Sequence, residues 1–132
     1  MPQGVPPEKT IDQVADEVGL YPPEAFEFVR RGLQHTVEIL HAGKKPEECH
    51  HVSGQQLSEG LREFALKQWG MLARTVLRRW NINRTDDFGQ IVFALVENGY
   101  LSTTEQDSID DFKNVFDFRT AFEEGYRIEC KV

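Results

Sequence analysis

The amino-acid sequence predicts a mainly α (α+β) fold: a compact helical domain with a small two- or three-stranded sheet. Three observations predict this fold class. Apolar residues recur at helical spacing along most of the chain, capping and stop signals divide them into segments, and the last residues alternate between apolar and polar. A length of 132 residues fits one domain, which we place at 10–132 after a flexible N-terminus at 1–9.

Two helices are predicted in the first third of the chain. Thr10 and Gln13 have the spacing of a capping box, and Gly19 ends the short helix that they begin. A second helix starts with prolines in its first turn and runs to about Ala42, where Gly43 follows. Its apolar residues step by three and four, as on one face of a helix: Phe26, Val29, Leu33, Val37 and Leu40.

Three further helices are predicted in the middle of the chain. Ser53 can cap a helix that Gly70 closes, and the segment 71–80 places its apolar residues together on one side. A short turn then leads to a helix over 85–98, for which Thr85 is the predicted cap.

Strands are predicted mainly at the C-terminus, after a stretch of helical spacing at 109–122. The tail 126–132 alternates between apolar and polar residues with a period of two, which is typical of a strand. Its candidate partners are 50–53 and 99–102. The resulting order of strand, helix, helix, turn, helix and strand predicts a winged-helix-like arrangement over residues 50–102.

In a winged-helix protein the helix at 85–98 would read DNA, but its residues argue against that role. Its exposed side would carry Asp86 and Glu97, which repel phosphates. Asp86 and Asp87 have a structural explanation, because carboxylates in the first turn of a helix interact favourably with its dipole. The run "IVFALV" is apolar nearly all round. We therefore expect a core helix, with the chain packed over Phe93.

The net charge of −7 is unevenly distributed, with a basic stretch at 49–84 between two acidic flanks. Basic residues that come close together in this stretch form a candidate binding patch: Lys67, Arg74, Arg78, Arg79 and Arg84. With Trp69 and Trp80 as stacking surfaces, such a patch is typical of modules that bind nucleic-acid backbones or single strands. Ion pairs with the acidic C-terminal third explain the arginines equally well. Both tryptophans end apolar stripes, which favours a place in the core.

No motif for a particular enzyme chemistry is found in the sequence. It has no glycine-rich phosphate loop and no nucleophile elbow. The metal candidates are Cys49, His50, His51 and Cys130, which only strand pairing could bring together. We predict no catalytic residues, no metal and no cofactor, and whether these four residues meet stays open.

Cysteine usage and hydropathy indicate where the protein resides. The two cysteines lie far apart in sequence and fit no disulfide framework, which favours a reducing cytoplasm. No apolar run approaches the length of a membrane span, and the opening "MPQGVPPEKT" lacks the apolar core of a signal peptide. We expect a cytoplasmic protein without membrane contact.

Three stretches of the chain resemble a known family: "YPPEAFEFVRRGLQHT", "HVSGQQLSEGLREFALKQWGMLARTVLRRWNINRTDDFGQIVFALVENG" and "SIDDFKNVFDFRTAF". They are similar to a small family of uncharacterised proteins, a domain of unknown function largely restricted to Planctomycetes and Verrucomicrobia. The resemblance extends from about residue 20 to 122. It implies a bacterial, cytoplasmic, single-domain protein, and it implies no activity and no site residues.

These observations together favour a non-catalytic interaction or adaptor protein. The absence of catalytic motifs and the nine phenylalanines suggest a partner protein, which is either a second copy of the chain or another protein. The alternative is a nucleic-acid-binding module that uses the basic patch on the 71–84 segment. We regard nucleic acid as the less favoured partner because acidic segments flank the basic stretch.

Overall fold

Every regular element in the described part of the chain is helical. The computed structural model describes residues 9–40, 52–101 and 107–124. The α-helices in these ranges are α1 (Ile11–Val18), α2 (Pro23–Leu40), α3 (Gly54–Trp69), α4 (Ala73–Arg79) and α5 (Thr85–Glu97). The shorter elements are the 3₁₀ turns Gly70–Leu72 and Ile109–Phe112 and the π-helical segment Arg119–Glu124.

The predicted small sheet is wrong, and so is the winged-helix-like arrangement over residues 50–102, because no strand forms within the described ranges. Where a wing strand was expected, Gly99 adopts φ 83° and reverses the chain. The amides of Tyr100 and Leu101 then donate to the Leu95 carbonyl at 2.9 and 3.4 Å. These apolar residues therefore close the end of α5, and Leu101 makes only an isolated bridge that does not extend into a strand.

The remaining candidate strands provide no evidence for a sheet in the described residues. Val52 is buried directly before α3, and Ser53 is the N-cap of that helix. Positions 50–51 and 102 and the tail 126–132 lie outside the described residues.

The local helix signals at the starts of α1 and α3 are confirmed. The Gln13 amide donates to Thr10 Oγ1 at 3.2 Å, and the Thr10 amide donates back to Gln13 Oε1 at 2.9 Å. Ser53 and Gln56 form the same reciprocal box at α3. Each box satisfies backbone donors that have no partner within the helix.

The predicted cap of α5 is wrong by one residue. Arg84 is the N-cap, and Asp87 supplies the side chain that accepts from the amides of Asn83 and Arg84, at 2.8 and 3.1 Å. Thr85 is instead buried, and its hydroxyl donates to the Phe112 carbonyl at 2.6 Å. Thr85 therefore ties the C-terminal segment to α5.

Helices α2 and α3 approach each other closely because glycines stand at their crossing. A Cβ added at Gly32 would overlap the Leu61 side chain, and one at Gly60 would overlap the Thr36 hydroxyl. Thr36 is buried, and its hydroxyl donates to the Gly32 carbonyl at 2.7 Å. This bond lies within α2 and orients the Thr36 side chain that faces Gly60 of α3.

The C-terminal phenylalanines fill the other side of the core. We call Phe112, Phe118 and Phe122 the closed group, since each is at most 3% exposed. A Cβ at Gly54 would lie 3.0 Å from Phe112 Cε2, and one at Gly89 would lie 2.9 Å from Phe112 Cβ. The Phe112 ring is therefore seated between glycines of α3 and α5.

The structure places Phe93 beside this group without burying it completely. Its ring meets that of Phe112 edge-on, with centroids 6.4 Å apart. The 109–122 segment therefore packs on this face of α5, as we expected, but Phe93 stays half-buried.

Candidate binding groove

A groove of about 520 Å³ opens beside α1, the first half of α2 and the ends of α3 and α4. We call it the aromatic groove, because four of its lining residues are aromatic: Phe28, Phe64, Trp69 and Trp80. The remaining lining residues are aliphatic or polar: Thr10, Ile11, Asp12, Pro23, Glu24, Glu27, Arg31 and Gln68. A volume of this size is ordinary for a ligand or peptide pocket.

The four rings support one another around Phe28. Its centroid lies 5.6 Å from that of Phe64, 5.4 Å from that of Trp69 and 5.7 Å from that of Trp80. The two indoles are 5.4 Å apart and nearly perpendicular, at 79°. Phe28 is buried, while the other three rings are half-buried. Contacts in this distance range are favourable, so the rings hold each other in fixed orientations while keeping part of their surface exposed.

Local structure explains how Trp80 reaches the groove. The Trp80 amide closes α4 by donating to the Leu77 carbonyl at 3.0 Å, and Asn81 then turns the chain with φ 63°. The Asn81 side chain donates to the Leu20 carbonyl at 3.1 Å. This bond fastens the turn after α4 to the link between α1 and α2, and so positions Trp80 against the Phe28 face.

The rim of the groove is acidic. Asp12 and Glu24 are exposed, and Glu27 is half-buried with Oε1 3.0 Å from Nη1 of Arg30. Against these three carboxylates stands one lining guanidinium, Arg31. An apolar floor beneath carboxylates provides both a hydrophobic contact and a negative potential.

The candidate binding patch lies elsewhere. None of its five residues lines the aromatic groove: Lys67, Arg74, Arg78, Arg79 and Arg84. They are spread over the last turn of α3, α4 and the cap of α5. Arg84 Nη2 lies 3.0 Å from Asp86 Oδ2, and Arg74 is half-buried, while Lys67, Arg78 and Arg79 are exposed.

A buried tyrosine makes a short polar link between distant parts of the chain. The Tyr21 hydroxyl donates to Asp87 Oδ1 at 2.6 Å. Burial raises the pKa of Tyr21 well above its ordinary value of 10.0, and the hydrogen bond to Asp87 adds to that rise. Because the pKa rises, the phenol stays protonated at neutral pH. The bond joins the link between α1 and α2 to the start of α5, which is a structural role.

The other sequence candidates for chemistry are not placed by the structure. Cys49, His50, His51 and Cys130 lie outside the described residues. Over 9–40, 52–101 and 107–124, no three His, Cys, Asp or Glu side chains come together as a metal site requires. None of the described helices combines the length and apolar character of a membrane crossing.

Sequence reasoning missed the groove because it treated Trp69 and Trp80 as core residues. The available signal was that each tryptophan ends an apolar stripe. Such a position is at the end of a helix, where neighbouring helices need not cover the side chain completely. No family model, curated protein or solved structure matches the chain. The resemblance to the family from Planctomycetes and Verrucomicrobia therefore stays a prediction.

Proposed function

We propose that this chain is a non-catalytic cytoplasmic interaction protein that binds a partner protein through the aromatic groove. One observation carries the proposal: both tryptophans of the chain line an open groove and are only half-buried. Tryptophan is enriched among the residues that contribute most to protein–protein binding, since it offers a large, stiff apolar surface. Aromatic rings that are already held in place also lose little entropy when a partner binds.

The chemistry of the groove supports binding over catalysis. Its lining includes one hydroxyl group, that of Thr10, which already accepts the Gln13 amide at the start of α1. Among the described residues that line the groove, none is a histidine or cysteine that could act as a base or nucleophile. Its carboxylates are exposed or half-buried on the rim, and they do not form a buried pair.

Nucleic acid is the less favoured partner. The tryptophans that could stack on bases border a rim with Asp12, Glu24 and Glu27, which would repel phosphates. The basic patch lies outside the groove, so that stacking and phosphate contacts would not coincide. Salt-dependent binding of single-stranded DNA or RNA, lost in the Arg78→Glu/Arg79→Glu variant, would support this alternative instead.

Site-directed photo-crosslinking tests the proposal. A photoreactive amino acid is placed at Gln68, which is exposed and lines the groove, or at Gln90, which is exposed on α5 away from it. In lysate of the source organism, Gln68 should give a discrete protein adduct and Gln90 should not. The adduct should disappear in Trp69→Ala and persist in Met71→Ala, whose side chain is 70% exposed and does not line the groove.

Three results would count against the proposal. Equal adducts from both positions would place the partner outside the groove. An adduct that survives Trp69→Ala, in protein shown to be folded by circular dichroism, would remove the role of the aromatic floor. Reproducible turnover of a small-molecule substrate, abolished by a point change in the groove, would contradict the non-catalytic assignment.

A further inference from the structure

We infer that the aromatic groove receives a cationic segment of its partner, with a lysine or arginine side chain over the tryptophans. This inference rests on the proposed function and adds the chemistry of the bound segment. The inference follows from the arrangement of the rings in the groove, from the placement of charge along its lining, and from the way the chain already binds one of its own cations. The net charge of the chain adds to these.

The ring arrangement suits a compact positive group. Cations bind the faces of aromatic rings, and indole is the strongest aromatic partner among protein side chains. Trp69 and Trp80 meet nearly at a right angle, so they form a corner rather than a flat wall. A cationic head in that corner contacts two rings, while its aliphatic stem lies on the apolar floor at Phe28 and Phe64.

Charge is segregated along the groove. Asp12 comes from α1 and Glu24 from the first turn of α2, while Arg31 follows seven residues after Glu24. Seven residues of helix separate the two charges by roughly 10 Å along the axis. The groove thus has an acidic end and a basic end. A cation at the acidic end avoids Arg31, and a neutral or acidic residue of the same segment fits beside it.

The chain already holds one cation in this manner. The Arg30 guanidinium lies 5.0 Å from the centroid of the Tyr100 ring and pairs with the Glu27 carboxylate. This site is built from a ring face and a carboxylate, and the lining of the aromatic groove includes both kinds of group. The net charge of −7 further attracts a basic segment from a distance.

Peptide binding measured by fluorescence anisotropy tests the inference. The probe is a fluorescein-labelled octapeptide, Gly-Ser-Leu-Lys-Leu-Lys-Ser-Gly, with matched peptides in which both lysines become methionine or glutamate. We expect the lysine peptide to bind at least fivefold more tightly than the methionine peptide, and the glutamate peptide to bind weakest. Two partly exposed ion pairs together with one cation–π contact account for a preference of roughly that size.

A pair of charge-matched variants separates the groove from general attraction. Asp12→Asn/Glu24→Gln neutralises the acidic end, and Asp16→Asn/Glu38→Gln neutralises two exposed carboxylates on the same helices outside the groove. The groove variant should lose most of the preference for lysine, while the control should change the Kd less than twofold. Equal losses in both variants would overturn the inference, since only net charge would then matter.

The remaining outcomes distinguish the inference from the proposed function. The inference of a cationic segment is overturned if the lysine and methionine peptides bind equally, or if the lysine peptide does not bind. The proposed function still stands if the photoreactive group at Gln68 crosslinks to a protein. If no crosslink forms there, the proposed function and this inference both fail. Concentration-dependent self-association that Arg78→Glu/Arg79→Glu abolishes would identify the occupant as a second copy, and would contradict a separate partner.

Discussion

The closed group and the aromatic groove are built from the same class of side chain and differ in what surrounds them. Phe112 lies between Gly54 and Gly89, whose missing side chains leave room for the ring and close around it. Phe28 also has aromatic neighbours, but they are half-buried and stand beneath a charged rim. One cluster is sealed by backbone, and the other opens to solvent.

This difference shows how structural and binding aromatics can be told apart. A ring that is seated on glycines contributes its full buried surface to folding and offers no free surface to a partner. A ring that is partly exposed beside carboxylates contributes less to the free energy of unfolding. Its exposed surface remains available to a binding partner. Predictions that separate stability from binding therefore test the comparison.

Removing the Phe112 ring should have the largest effect on stability. Phe112→Ala leaves a cavity between α3 and α5 and should lower the free energy of unfolding by about 3–5 kcal/mol. Phe93→Ala is the matched control, since Phe93 lies on α5 in contact with the Phe112 ring, is only half-buried and should cost clearly less. Urea denaturation followed by circular dichroism measures both. Equal losses would mean that the two rings are not differently enclosed.

Filling the crossing of α2 and α3 should destabilise the fold by an amount comparable to the loss of the Tyr21 hydrogen bond. Gly60→Ala forces a methyl group onto the Thr36 side chain and should destabilise the fold by about 1–3 kcal/mol. Gln55→Ala, at an exposed position of the same helix, should be nearly neutral. The midpoint of urea denaturation measures both changes. A neutral Gly60→Ala would show that the helices do not approach as closely as described.

Tyr21→Phe should cost about 1.5–3 kcal/mol at neutral pH, the usual range for a hydrogen bond to a charged group. The pKa of Tyr21 is raised in the folded state, so its stabilisation is fully present below the ordinary value of 10.0 and is lost as the pH rises through the folded value. The stability difference between wild type and variant should therefore shrink above pH 10. Thermal melts from pH 7 to 11 measure this difference, and a constant gap would contradict the linkage.

Neutralising the acidic end of the groove should have the smallest effect on stability. Asp12→Asn/Glu24→Gln changes two exposed side chains in the first turns of α1 and α2. Because each charge interacts favourably with its helix dipole, the variant should lower the free energy of unfolding by no more than about 1 kcal/mol. The same variant should nevertheless lose the preference for the lysine peptide. A large stability loss would show that these carboxylates serve folding rather than binding.

The sequence predicted the features that depend on neighbouring residues. The capping box of Thr10 and Gln13, the Ser53 cap of α3 and the Gly19 stop were predicted in this way, while the return bond from Gln56 to Ser53 was not. Distant contacts were not predictable in this way. Thr85 has the composition of a cap, and only the packing of Phe112 onto α5 shows that its hydroxyl is used there.

The sequence predicted a sheet that does not form and did not predict the aromatic groove, and both errors have the same cause. An apolar pair after a glycine reads equally as a strand or as the closure of a helix, and the contact of Tyr100 with Leu95 decides between them. Likewise, the periodicity that buries Trp69 and Trp80 on one face cannot show that the neighbouring helices leave a gap. Both outcomes depend on how elements meet, which local spacing does not encode.

Quenching of intrinsic fluorescence tests the central claim most directly, because the chain has two tryptophans and both line the acidic-rimmed groove. Acrylamide should quench the emission of the folded wild type. When the quenching constant of each ion is divided by its value for free N-acetyltryptophanamide at equal ionic strength, the ratio should be larger for Cs⁺ than for iodide. Asp12→Asn/Glu24→Gln should reduce the advantage of Cs⁺ and leave acrylamide quenching unchanged. Indoles that no quencher reaches, or normalised quenching constants that are as large for iodide as for Cs⁺, would contradict an open groove with an acidic rim.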